Sequence, residues 1–168
     1  NRSMDKKSIF IIVIAAAMLI ISFAIYKSQG LKRTYIKQVR QGVERSAAFG
    51  ESLLREEDIR HLPEPVQKYL EYVGAIGKEK VKSVKAVFEG EMHMDPKKGW
   101  ARIKAEQYNF FDEQLTRMFY MKAKMFGIPV FGLHSYTDED AGMLIKAAGL
   151  FTVLDEKGQE MRISDTTT

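Results

Sequence analysis

The sequence contains no cysteine, only three histidines and a single tryptophan among 168 residues. Without cysteine the chain has no disulfide, no thiolate zinc or iron–sulfur site and no cysteine nucleophile. It also contains no glycine-rich phosphate loop, no nucleophile elbow and no HExxH pattern. The sequence therefore gives little support for an enzyme, and we expect no bound metal and no cofactor.

Length and composition describe one small folded unit. The chain is long enough for a single domain, and an apolar share of 45% with a net charge of +4 is typical of a folded protein. The charge is uneven, because residues 27–45 carry six basic side chains against one acidic side chain. A nucleic-acid-binding protein would carry its basic residues across the folded domain, so we expect no nucleic-acid partner.

The longest apolar run lies near the N-terminus. Residues 9–25 are apolar except for Ser22, and with Ser8 and Tyr26 they make a helix about 28 Å long, close to the roughly 30 Å of a bilayer core. Lysines flank the run on both sides. We predict an N-terminal tail over residues 1–8 and a transmembrane helix over residues 9–26. A cleaved signal peptide is the alternative, with Ser22-Phe23-Ala24 as its candidate cleavage region.

A basic segment follows, and we interpret residues 27–62 as a juxtamembrane helix or linker. Its basic residues are predicted to contact anionic lipid headgroups, the alternative being a solvated linker. These residues are Lys27, Lys32, Arg33, Lys37 and Arg40. The count of basic residues on each side of the helix favours a cytoplasmic domain, whereas the short basic tail before it is typical of an anchor with an external domain. We expect a single-pass membrane protein with an extracytoplasmic domain.

The remaining residues, 63–168, predict an α+β domain. Residues 63–74 have proline at the start, glycine at the end and one apolar face, which indicates a short helix that packs on another element. From residue 81 onward apolar and polar residues alternate, and polar turns separate the runs, which is typical of an antiparallel meander. The fold class is therefore an N-terminal membrane helix, short helices and a curved β-meander forming an incomplete half-barrel.

One face of the predicted sheet combines small residues, methionines and aromatic residues. Methionine suits adaptable apolar surfaces, so this face is a candidate site for an acyl chain. The candidate ligand-binding residues are Phe88, Met92, Met94, Phe119 and Met121. The alternative is an ordinary core packed against the helix at residues 63–73.

Two groups of polar side chains are candidates for catalysis or metal binding. Glu89, Glu91 and His93 share a strand face at a spacing of two, so they are weak candidates for a metal site or an acid–base pair, against a solvated polar face. Asp138-Glu139-Asp140 lacks the further oxygen ligands of a calcium loop and is interpreted as a solvated turn.

From residue 62 onward the chain resembles an uncharacterised family of bacterial proteins with a single N-terminal membrane helix. The residues that carry the likeness are 62–70 (LPEPVQKYL), Val73-Gly74, 88–92 (FEGEM), 105–108 (AEQY) and 149–153 (GLFTV). The resemblance implies no catalytic residue. It implies that family members continue beyond Thr168, so the chain is expected to be an N-terminal piece whose Ser164 or Asp165 caps a following helix. The strand pattern is also similar to the half-barrels of periplasmic lipoprotein carriers.

Three functions follow from these observations. The leading hypothesis is a membrane-anchored protein that binds a lipid or another apolar ligand on its curved sheet. The second is a structural or protein-interaction module tethered to the membrane. The third is a hydrolase or metal enzyme that uses the Glu/His strand face. Residues 46–168 alone are expected to aggregate or dimerise through the exposed sheet.

Overall fold

The computed structural model describes residues 5–48, 50–95, 99–112, 114–137 and 140–158. The helices are α1 (Lys6–Ser28), α2 (Gly30–Ala48), α3 (Glu56–Ile59) and α4 (Glu64–Tyr72). The strands are β1 (Ser83–Asp95), β2 (Gly99–Phe110), β3 (Thr116–Met125), β4 (Ile128–Thr137), β5 (Ala141–Ala147) and β6 (Phe151–Lys157). They pair in sequence order as one antiparallel sheet that does not close, so the predicted α+β class is confirmed.

Helix α1 contains the apolar run and extends past it by a few residues at both ends. It has 23 residues, a mean hydropathy of 2.9 and no buried residue. Its length and composition are sufficient to cross a membrane, a property that it shares with signal sequences near an N-terminus.

Helix α2 lies along one face of the sheet and forms the core with it. Its buried residues include Leu31, Tyr35 and Gly42, which recur on one side of the helix. Leu31 and Tyr35 pack with Met118 and Leu133 in a single buried cluster. The stretch predicted as a juxtamembrane helix or linker is thus partly a core element, because Leu31 and Tyr35 lie on the side that contacts the sheet.

Gly42 lies inside α2 and does not interrupt it, although glycine disfavours the interior of a helix. The ring of Phe110, which is fully buried, occupies the space next to it. A Cβ atom at position 42 would come within 2.5 Å of Phe110 Cε2. The glycine therefore lets the helix approach the sheet closely.

The C-terminal end of α2 is held by Asp112, whose side chain is only 1% exposed. Arg45 Nε donates to both carboxylate oxygens of Asp112 at 2.9 and 3.0 Å, and Ser46 Oγ donates to one at 2.8 Å. Burial on its own would raise the pKa of Asp112, but the hydrogen bonds from Arg45, Ser46 and the Gln114 backbone outweigh it and hold the pKa below its usual range. This ion pair fixes where α2 ends on the sheet.

The prediction that the helix at residues 63–73 covers the sheet is wrong. Helix α4 has no buried residue, and its Tyr72 is 89% exposed. Gln67 of α4 instead donates hydrogen bonds to the backbone carbonyls of Arg60 and Leu62. The helical side of the sheet is already occupied by α2, which is twice as long and carries larger buried side chains.

The strand boundaries follow the alternation in the sequence. One point that the alternation does not decide is whether residues 143–154 form one strand or two. The sequence pattern over residues 143–154 predicts one strand, in which Gly149 marks a bend or a split. Ala148 and Gly149 both adopt positive φ there (51° and 71°), and the run splits into β5 and β6. Phe126 and Gly127 make a similar two-residue turn between β3 and β4. The acidic turn at residues 138–139 and the chain end at 159–168 lie outside the described residues.

Candidate ligand-binding face

The sheet has two different faces. One is covered by α2, and we call the other the open face. Two neighbouring rows of cross-strand partners on the open face are apolar in all six strands. The first row is Phe88, Ala105, Met121, Gly132, Ile145 and Leu154, and the second is Gly90, Ile103, Ala123, Val130, Ala147 and Phe151.

The middle of these rows consists of small side chains. Ala105 and Ala123 are 3% and 2% exposed, although α2, the helix that packs most on the described sheet, lies on the other face. Larger residues toward the edge strands stand out into solvent, with Phe88 at 46% and Phe151 at 70% exposure. The open face is therefore a shallow apolar trough with a floor of small residues.

The apolar rows occupy only the half of the open face that is nearer to the β3–β4 and β5–β6 turns. The next row toward the other end contains Gln107, His134 and Glu156 among its six members. The row after it contains Asn109 and Arg117. Polar residues thus become more frequent along the strands toward the β2–β3 and β4–β5 connections, and the trough ends about halfway along the strands.

The sequence-predicted ligand residues lie on this face, and three of them come together. Phe88 and Phe119 have ring centroids 6.5 Å apart, and Met121 shares a row with Phe88. Met92 lies nearer to the end of β1 and is 38% exposed. The backbone of Met94 belongs to β1, and its side chain lies outside the description.

Sequence reasoning missed the contribution of the later strands. Gly132 and Val130 of β4, and Ile145 of β5, complete the trough. Residues 130–133 (VFGL) are apolar on both sides of β4, so alternation does not assign Val130 and Gly132 to a face, and only their register with β3 does.

The candidate acid–base residues lie on the opposite face, beside α2. Glu89 Oε1 accepts a hydrogen bond from Lys104 Nζ at 2.7 Å, and the ring of His93 stacks on Trp100 with centroids 4.9 Å apart. In the part of the chain that the structure describes, no three His, Asp or Glu side chains cluster as metal ligands do. Catalysis by Glu89, Glu91 and His93 stays a prediction.

A cleft of about 350 Å³ lies between α2 and strands β1, β2 and β3 on that same face. Its charged lining residues are Lys32, Lys104, Lys122, Glu89 and Glu106. The other lining residues are Tyr35, Tyr120, Ile36, Val87 and Ala105, and most of the exposed lining surface is apolar. Burial, followed by the negative charge of Glu106, raises the pKa of both Tyr35 and Tyr120, so their hydroxyls stay protonated at neutral pH. The cleft therefore combines charged and apolar groups, whereas the two rows on the open face are apolar throughout.

Comparison with known proteins adds one assignment. Residues 52–168 match DUF6544, a family of unknown function. The chain belongs to the DUF6544 family. The match covers α3, α4 and the whole sheet, whereas α1 and α2 precede it. No curated protein and no solved structure matched the chain. Membership of an uncharacterised family, expected from the sequence, is confirmed.

In this DUF6544 protein the basic residues predicted to contact lipid are spread along two helices. Lys27 lies in the last turn of α1, and Arg33 packs over the Tyr26 ring at 3.9 Å. Lys32 and Lys37 are exposed on α2. Arg40 lies about 18 Å beyond the end of α1 at 1.5 Å per residue, and it pairs with Glu44. Screening at physiological salt acts over about 8 Å, so only the first three basic residues lie close enough to α1 to act at a membrane surface.

Proposed function

We propose that this DUF6544 protein is a single-pass membrane protein that holds an apolar ligand of the lipid class against the open face of its sheet, outside the cytoplasm. One observation carries the proposal: two apolar rows cross all six strands on the face that α2 leaves uncovered. The exposed members of these rows, such as Phe88 and Phe151, flank buried small residues, and exposed apolar surface of this kind is typical of a binding site in a folded protein.

The size of the trough supports an acyl chain as the ligand. Six strands spaced by about 4.8 Å give a trough about 24 Å long across the sheet. One leaflet of the hydrocarbon core, about 15 Å thick, is shorter than this. Each buried methylene contributes about 0.8 kcal/mol, so a chain laid along the floor would be held without any polar contact.

The membrane anchor supports a lipid source for the ligand. Helix α1 is long and apolar enough to span the bilayer, and Lys27, Lys32 and Arg33 follow it at the expected surface. Each basic residue near an anionic surface adds about 1 kcal/mol of attraction.

Native mass spectrometry of the full chain, extracted from membranes in a mild detergent, tests the proposal. We expect co-purified lipid on the wild-type protein. Gly132→Leu should remove most of it, because a Cβ atom at this position meets its nearest neighbour, Met121 Cε, at 3.7 Å and the added side chain would fill the floor. Asp155→Leu adds the same side chain at an exposed position on the α2 side of β6 and should leave lipid occupancy unchanged. Equal occupancy in all three proteins would refute the proposal.

A tethered protein-interaction module is the second candidate function. It is favoured by β1, a 13-residue strand at one edge of the described sheet, whose Val87 is 60% exposed. Such an edge can pair with a strand from another chain. A proline at position 87 would abolish partner binding in this case and leave lipid occupancy intact.

A further inference from the structure

The described sheet has one end that lies next to the membrane helix. The connections β1–β2, β3–β4 and β5–β6 all lie at this end, which we call the anchor end, and β2–β3 and β4–β5 lie at the far end. The backbone of Gly149, in the β5–β6 turn, lies against the carbonyl group of Ser28 so closely that a Cβ atom would overlap it. The anchor end therefore touches the last residue of α1.

A single residue, Gln29, joins the end of α1 to the start of α2. The Gln29 N–H donates to the Ile25 carbonyl at 3.3 Å, and the Arg33 N–H donates to the Gln29 carbonyl at 3.0 Å. Helix α2 then runs away from α1 along the sheet, as the contact of Arg45 with Asp112 at the far end shows. The sheet therefore extends away from α1, with its anchor end toward any bilayer that α1 spans.

The anchor end carries large apolar side chains in exposed positions. Trp100, Phe126 and Phe151 are 68%, 73% and 70% exposed, and Ile128 is 50% exposed. Aromatic side chains with this exposure are favoured at the headgroup level of a membrane, where one side of the ring is apolar and the surroundings are partly wet.

Basic side chains also lie at the anchor end. Arg102, Lys122 and Lys124 are exposed on the anchor-end halves of β2 and β3, with Glu89 and Glu91 exposed on the adjoining half of β1. The charge of this end is therefore mixed, and the exposed aromatic side chains carry the inference.

We propose that the anchor end of the sheet inserts its hairpin tips into the headgroup layer of the bilayer that α1 spans. This inference rests on the proposed function only through the membrane span of α1. The tips carry Trp100, Phe126 and Phe151 into the lipid, so the apolar half of the open face meets the membrane directly.

The single tryptophan of the chain makes the test direct, because Trp100 lies in one of these tips. The full chain is reconstituted in vesicles of phosphatidylcholine and phosphatidylglycerol, with or without brominated acyl chains that quench tryptophan fluorescence on contact. We expect a blue-shifted emission maximum and loss of most of the emission in brominated vesicles.

The control moves the tryptophan to the far end of the sheet. In W100F/F111W the indole replaces a 47% exposed side chain. It lies about 35 Å from the tips at about 3.3 Å per residue, so its emission should be unaffected by bromine. W100F/L115W serves the same purpose if the first variant does not fold.

Each other outcome overturns the inference in a recognisable way. Failure of the protein to float with the vesicles would refute the membrane span and the inference together. Flotation with unquenched Trp100 would refute the inference alone. A blue shift without quenching would place Trp100 in a protein contact, and equal quenching at both ends would mean that the sheet lies flat on the membrane.

Discussion

The close approach of α2 to the sheet at Gly42 makes a prediction that opposes the usual rule for helices. Replacing glycine by alanine inside a helix normally stabilises it by about 1 kcal/mol. At position 42 the new Cβ atom would lie 2.5, 2.6 and 2.8 Å from three carbons of the Phe110 ring. Ordinary carbon contacts are about 3.5–4.0 Å, so the ring must move by about 1 Å.

Phe110 has little freedom to make that movement because it is fully buried. Overpacking of this kind costs about 1–3 kcal/mol. After subtraction of the helix term, Gly42→Ala should lower the free energy of unfolding by about 0–2 kcal/mol. At about 2–4 °C per kcal/mol, the melting temperature should fall by up to about 8 °C.

Gly30→Ala is the matched control, because no atom lies within 4 Å of a Cβ atom at that position in the same helix. It should raise the melting temperature by a few degrees through the helix term alone. The assay is thermal unfolding of the full chain in detergent micelles, followed by near-ultraviolet circular dichroism. Gly42→Ala/Phe110→Leu should be less destabilised than the sum of its single variants.

The outcome that would refute this reasoning is equal stabilisation by Gly42→Ala and Gly30→Ala. That result would mean that α2 does not pack on Phe110 in the protein. Additive effects in the double variant would lead to the same conclusion.

Three further predictions follow from groups already described. Asp112→Asn should lower the free energy of unfolding by about 2 kcal/mol at neutral pH. The pKa of Asp112 is lower in the folded protein than in the unfolded chain. The stability that Asp112 contributes is therefore complete above about pH 4 and is lost as the pH falls through the folded-state pKa. In Asp112→Asn the free energy of unfolding should accordingly fall less steeply with decreasing pH than in the wild type. Tyr35→Phe should leave stability unchanged or raise it, as measured by thermal unfolding, because the buried Tyr35 hydroxyl lies near Glu106 but no described residue meets it with hydrogen-bond geometry. A reporter fused after Thr168 that is active only outside the cytoplasm should give signal, and a silent reporter with an active cytoplasmic one would reverse the proposed topology.

The first strands were predictable because apolar and polar residues alternate along much of β1 and β2. The alternation around Phe88, Ala105 and Met121 assigns these residues to one face of the sheet, and this assignment does not depend on which element packs against the opposite face. The role of α2 was not predictable in the same way. Its apolar residues are few, its mean composition is polar, and Gly42 looks like a helix breaker until the ring of Phe110 is known to lie beside it. For α4 the apolar face predicted packing that the structure does not have. Periodicity shows that a helix has an apolar side, but it does not show which element covers that side.

The one-residue connection through Gln29 limits how far the protein can reach from the proposed membrane span. A long flexible tether would let the sheet sample a hemisphere above the membrane, whereas two helices joined by a single residue restrict its height. The sheet extends about 40 Å from the anchor end, at about 3.3 Å for each of the 12 residues of β2. A ligand taken from the bilayer could therefore pass to a second membrane only where the two surfaces come within about that distance. Lengthening the junction by a few glycines would loosen the orientation and widen the gap across which exchange is possible.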